Sequence, residues 1–358
     1  MKRGPVLRET QFWTALLCLA ASVPGAAQAP RDARVQLRFD TTEARAVLTI
    51  LDAERSGRSV SEADWRGLFS TEGYVRLKAR EAAMHRAFAD SEFAGFVKSD
   101  SLLRRASGLR AALSAWERAD VRRAAARALA YLPADARIKA TVYVVIKPRT
   151  NSFVWDVLTD PAIFLYLDPL ISEPKFANTV AHELHHIGLA SVEARADSIR
   201  ATLPDSVRPA AEWVGAFGEG FAMLAAAGGP DVHPHAVSAA ADRARWDHDM
   251  ASFNRDLRTL DGFFRDILSR RLATADTIQA VASTFYGIQG PWYTVGWKMA
   301  VMIEKRFGRP ELIRCMTDPG RLLRRYDAAA AGYNRTHPDS LGRWSPQLLR
   351  ALSPSSSP

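Results

Sequence analysis

The chain has 358 residues, 47% of them apolar and 24% charged, enough to bury one large core or two smaller ones, which excludes a wholly disordered polypeptide. Its formal net charge of +9 comes from Arg and Lys interspersed with Asp and Glu, without a long block of one sign. That dispersed pattern describes a solvated surface, and no nucleic-acid partner is expected.

The first 29 residues read as a secretory signal peptide: Lys2, Arg3 and Arg8 precede an apolar run over 12–23, and Gly25, Ala26, Ala27 and Ala29 follow. The run is too short to span a bilayer, so the chain is expected to be exported to a periplasm or the extracellular space, without stable membrane insertion after signal removal. Leu16 and Leu17 stand before Cys18 where a lipoprotein site needs smaller residues. Losing Cys18 with the signal leaves Cys315 alone, so no intramolecular disulfide can form and Cys315 reads as a buried small hydrophobe.

Residues 30–136 are predicted to form a helical N-terminal region, because apolar residues recur at three- and four-residue spacing over 44–51, 61–69, 74–88 and 102–132. Trp65, Phe69, Tyr74 and Trp116 read as packing residues of that layer, and His85 as a helix histidine without a ligand partner. The texture changes at Ile138. Segments 139–147 (KATVYVVIK) and 162–167 (AIFLYL) are rich in β-branched and aromatic residues and predict two strands joined by a loop over 148–160. The second is expected to expose an edge on which an extended peptide can pair.

Residues 182–186 read His-Glu-Leu-His-His within FANTVAHELHHIGLA. Phe176, Val180, Leu184 and Ile187 follow helical spacing, Pro174 suits a first turn, and Gly188 suggests a loosening at the far end. One turn of helix puts His182 and His186 on one face with Glu183 beside them, so two imidazoles can grip Zn2+ while the carboxylate reaches a water on it. Further helices are predicted over 191–203, 209–227, 237–273, 276–286 and 293–307, and residues 346–358, ending SPSSSP, are expected to be a disordered tail. The fold class is mainly α with a small β-sheet.

A catalytic zinc usually has three protein ligands, so a third donor is needed. A histidine six residues after His186 is absent, since Val192 stands there. Glu193 lies about 10 Å down the axis if the helix continues. Glu219 is the better candidate: it is 33 residues past His186, far enough for a second helix to pack back, and its neighbours Trp213, Phe217, Phe221 and Leu224 make a buried carboxylate costly unless it meets a cation. Gly218 and Gly220 would let that helix approach the zinc helix closely. Glu193, Asp197 and a solvated Glu219 remain alternatives.

The sequence AHELHHIGL followed by GEGFA, with YTVGWKMA nearer the C-terminus, resembles the zinc-dependent peptidase family of the gluzincin group, which combines HExxH with a distal Glu. The resemblance implies a zincin-like catalytic region over 137–345, with His182, His186 and Glu219 as zinc ligands, Glu183 as general base and a peptide or protein as substrate. It departs from thermolysin-like members at Met223, where their second helix has Asp. Tyr293 is the first candidate for the oxyanion donor, ahead of Tyr286, His233 and His235; His185 points off the ligand face. The alternative to a peptidase is a non-catalytic metal-binding or helical scaffold protein of the cell envelope.

Overall fold

A computed structural model describes residues 33–353, so the expected signal peptide and the final residues of the expected tail lie outside the described residues. Over the described residues the chain is mainly α with one four-stranded sheet. It begins with strand β1 (Val35–Asp40) and helices α1 (Thr42–Arg55), α2 (Glu62–Phe69), α3 (Glu72–Ala83), α4 (Asp90–Val97), α5 (Asp100–Glu117) and α6 (Val121–Leu129). The strand falls within the region read as helical: Val35, Leu37 and Phe39 alternate with Gln36, Arg38 and Asp40, a period-two pattern that suits a half-buried strand. The helix expected over 102–132 is two helices, because Asp120 accepts a hydrogen bond from the Arg123 N–H at 3.0 Å and starts α6 anew.

Three further strands complete the sheet, β2 (Ile138–Val145), β3 (Phe153–Trp155) and β4 (Ala162–Tyr166), in the order β1-β2-β4-β3. β1, β2 and β4 are parallel, and β3 runs antiparallel to β4, with Phe153 opposite Phe164. The exposed edge expected at 162–167 is therefore not there. β4 is interior and buried along its whole length, as a strand covered on both faces must be, and the short β3 inside the expected loop occupies the outer position. Pairing of β1 with β2 also means that the core does not divide at residue 136: one cluster runs from Ala44 through the sheet to Val192.

Helix α7 (Glu173–Ala190) lies against this sheet. Ser172 caps it by accepting from the Lys175 N–H, and Pro174 fits the first turn, where no backbone donor is needed. Its stripe of Phe176, Val180, Leu184 and Ile187 is buried, and the Phe176 ring stacks on Trp116 with centroids 4.5 Å apart. Each such side chain contributes roughly 1.5–3 kcal/mol by leaving water. Gly188 does not loosen the helix. A Cβ there would lie 2.2 Å from Leu132 Cδ1, so the missing side chain lets the end of α7 pack closely on the segment before β2.

The remaining helices are α8 (Glu193–Ala201), α9 (Arg208–Val214), α10 (Gly218–Ala227), α11 (Ala240–Met250), α12 (Phe253–Leu268), α13 (Ala275–Ser283), α14 (Pro291–Phe307), α15 (Arg309–Cys315), α16 (Pro319–Asn334) and α17 (Pro346–Ala351). They build a second core around Phe217, Phe264, Trp292 and Tyr326. The single helix expected over 209–227 is broken by a 3-10 turn at Gly215–Phe217. The tail expected from 346 is ordered as α17, because Ser345 caps it and Leu348 is buried in the second core.

The first core contains a carboxyl group with no counter-ion in contact. Glu43, on the first turn of α1, is 1% exposed; its Oε2 accepts from the Ile146 N–H at 2.9 Å, and its Oε1 has no partner. Burial pushes its pKa from 4.5 up to about 8, against the opposing pull of the Ile146 N–H and the Lys147 charge. A raised acid favours folding most below about pH 4.5, and that contribution is lost as pH rises through about 8. At about 1.4 kcal/mol per pKa unit the loss is several kcal/mol. Glu43→Gln, which cannot ionise, should therefore lie within about 1 kcal/mol of the native chain in denaturant unfolding at pH 5 and exceed its stability by several kcal/mol at pH 8. An unchanged difference between the two pH values would show that Glu43 does not titrate in this window.

Candidate metal centre

Two helices bring the predicted donors together. α7 presents His182 and His186 one turn apart, and Glu219 projects from the first turn of α10, where the N-terminal end of a helix favours a carboxylate. His182 Nε2 lies 3.1 Å from His186 Nε2, and Glu219 Oε2 lies 3.3 Å and 3.2 Å from those two nitrogens. Among the described residues this is the group of His, Cys, Asp and Glu side chains that could hold a metal ion. The spacing fits zinc. Ligands about 2.0–2.1 Å from a tetrahedral ion are separated by about 3.3 Å.

The alternatives for the third donor are placed elsewhere. Glu193 and Asp197 both pair with Arg200, and Asp197 is largely exposed. Gly220 does not serve the approach to the zinc helix. A Cβ there would lie 1.9 Å from the Trp297 backbone N, so this glycine lets α10 press against α14 at Gly296, while a Cβ at Gly218 would make only ordinary contact with Leu189 of α7.

Electrostatics couples the donors. Burial opposes charge on His186, yet the Glu219 carboxylate prevails and raises its pKa to about 9. Burial likewise opposes charge on Glu219, and the two imidazoles hold its pKa below the usual carboxylate range. His185 points away into the interior: it is fully buried, and burial followed by the neighbouring histidines lowers its pKa to about 3. His182 Nδ1 is buried without a hydrogen-bond partner, which matches the sequence departure at Met223. A ligand histidine elsewhere commonly donates that second nitrogen to a carboxylate or carbonyl.

A comparison with protein families matches residues 65–334 to the family described as "Putative zinc dependent peptidase (DUF5700)". The chain belongs to this family. Zinc is the cofactor its description names, in agreement with the donor set above. No curated protein and no solved structure matches the chain.

The remaining candidates divide between the centre and its surroundings. Glu183 is half-buried, and its charge acts on both His186 and Tyr293. Tyr293, on the first turn of α14, lies with its ring nearly parallel to that of His182, centroids 6.4 Å apart. Burial, then the Glu219 charge, raises its phenol pKa, and the same two causes raise that of Tyr286. A tyrosine so placed remains protonated and able to donate. His233 instead bonds Asp247 at 2.9 Å, and His235 Nδ1 bonds Ser238 Oγ at 3.0 Å. Sequence reasoning missed Lys175, although its spacing of seven residues before His182 places it on the ligand face of α7.

Proposed function

We propose that this chain hydrolyses peptide bonds with His182, His186 and Glu219 holding zinc, Glu183 acting as general base and Tyr293 donating to the oxyanion. The observation that carries the reading is the convergence of two imidazole nitrogens and one carboxylate oxygen at 3.1–3.3 Å, with a second, unpaired carboxylate on the same helix turn. When bound, zinc lowers the pKa of a coordinated water toward about 7 and polarises a carbonyl oxygen. Glu183 takes the proton of the attacking water and delivers it to the leaving amine. Glu183 makes no hydrogen bond or ion pair with the protein among the described residues, which leaves its oxygens available for that transfer. The Tyr293 hydroxyl, kept neutral by burial and by Glu219, supplies the hydrogen bond that strengthens as negative charge develops. Among the described residues the outer strand β3 packs against α7 and has its ladder partner on one side only, so an extended substrate can add to its free side.

Export follows in this proposal from the charged, apolar and small-residue order of residues 1–29, and among the described residues no helix is long and apolar enough to cross a membrane. Chelation tests the whole reading. Removal of zinc should abolish turnover of a mixed peptide library, and stoichiometric zinc should restore it; a zinc-loaded protein that cleaves no peptide would be a metal-binding scaffold.

A further inference from the structure

The face of α7 that carries the two histidines continues toward the start of the helix. Lys175 precedes His182 by seven residues, two turns of helix, and so lies within about 20° of it around the axis and about 10 Å along it. The ammonium is half-buried. Among the described residues it has neither an ion-pair nor a side-chain hydrogen-bond partner. Asp242 on α11 is the carboxylate whose charge acts on it, from beyond ion-pair distance.

The Lys175 charge reaches His235, in the segment between α10 and α11. His235 is 1% exposed, its ring lies 5.3 Å from that of Trp246, and its Nε2 is buried without a partner. The charges of Lys175 and Asp242 both act on this imidazole, and the Gln289 side chain is also close enough to influence it. Burial followed by the Lys175 charge lowers its pKa to about 4, so near neutral pH it is an uncharged imidazole. In the tautomer that carries its proton on Nε2, Nδ1 accepts from the Ser238 hydroxyl and the Nε2–H is a buried donor without a hydrogen-bond partner among the described residues. Gln289 lies in the turn that leads into α14, and its neighbour Ile288 is 74% exposed. The Lys175 ammonium and the Gln289 amide thus both act on the His235 imidazole, and Gln289 adjoins an exposed apolar side chain. A buried donor without an acceptor is costly, and a carboxylate from outside would satisfy it.

We propose that Lys175, His235 and Gln289 form a carboxylate-binding subsite that takes an acidic side chain or the free C-terminus of a peptide about three residues from the bond to be cleaved. The distance follows from about 3.3 Å per residue in an extended chain against the two-turn separation on α7. The subsite rests on the peptidase reading for its purpose but not for its chemistry, which is recognition of an anion by donors.

Two readouts keep these apart. Full-length zinc-loaded protein is given quenched peptides that carry Glu or Gln three residues to either side of the scissile bond, each with a free or amidated C-terminus. Fluorescence anisotropy with the same labelled peptides is read on the Glu183→Gln protein. The native chain should prefer one Glu or free-carboxylate peptide over its neutral counterpart by at least tenfold, in kcat/KM and in binding. Lys175→Met should bring that ratio near one, Lys175→Glu should invert it, and Lys175→Arg should retain it. A Glu preference assigns the subsite to an acidic side chain, and a preference confined to free C-termini assigns it to the terminal carboxylate. Charge-selective binding without any cleavage would retain the subsite and overturn the peptidase reading. Equal handling of acidic and neutral peptides, a preference that survives in Lys175→Met, or binding of none of the peptides would overturn the subsite.

Discussion

Glu183→Gln is expected to reduce kcat for peptide hydrolysis by about 10²–10⁴-fold while zinc content stays at one ion per chain, since a positioned general base contributes that much and the change removes only the acid-base function. Glu183 is not among the three converging donors, and the amide has nearly the shape of the carboxylate, so neither the metal nor the packing of α7 should suffer. kcat from quenched peptides and metal content by mass spectrometry, on the same preparation, decide the matter. A fully loaded variant that keeps turnover within tenfold of the native chain would remove Glu183 from the mechanism. Loss of zinc together with activity would make it a ligand instead.

Glu219→Ala should have a comparably large effect on the metal. Two imidazoles four residues apart remain, but the only carboxylate of the trio is gone, and zinc affinity should fall by at least about 10²-fold, more than the loss of an outer hydrogen-bond partner costs. The metal-free site changes as well. Burial opposes charge on His186, and Glu219 does more than Glu183 to raise its pKa against it, so without Glu219 the imidazole becomes harder to protonate. A ligand that binds only the folded chain stabilises it by about 2.7 kcal/mol at a hundred times its dissociation constant. Zinc should therefore raise the melting temperature of the native chain measurably and leave that of Glu219→Ala nearly unmoved at the same concentration. An equal shift in both would place the third donor at another residue.

Much of this centre is legible in the sequence because its information is local. His182, Glu183 and His186 are fixed relative to one another by a single helical turn, and the stripe of Phe176, Val180, Leu184 and Ile187 reveals which face is buried. Glu219 is legible for an energetic reason, an acid among large apolar neighbours. What depends on distant partners is much less so. β3 has three residues, too few for a periodic pattern, and it exists because β4 offers it a ladder. That same pairing determines which strand is outermost, so the edge assigned to 162–167 belongs to 153–155. Gly220 reads as a close approach, but nothing in GEGFA says whether α7 or α14 is the neighbour. Tyr293 and Lys175 become intelligible only when α14 and the 233–238 loop are placed beside α7.

The contact at Gly220 and Gly296 also shapes how the molecule can move. With backbone against backbone there, α10 and α14 cannot slide past each other, so the acid and the tyrosine they carry form one rigid plate, while the imidazoles belong to a helix rooted in the other core. A cation held by His182, His186 and Glu219 would add a bridge across that seam, where α7 and α10 already pack on each other.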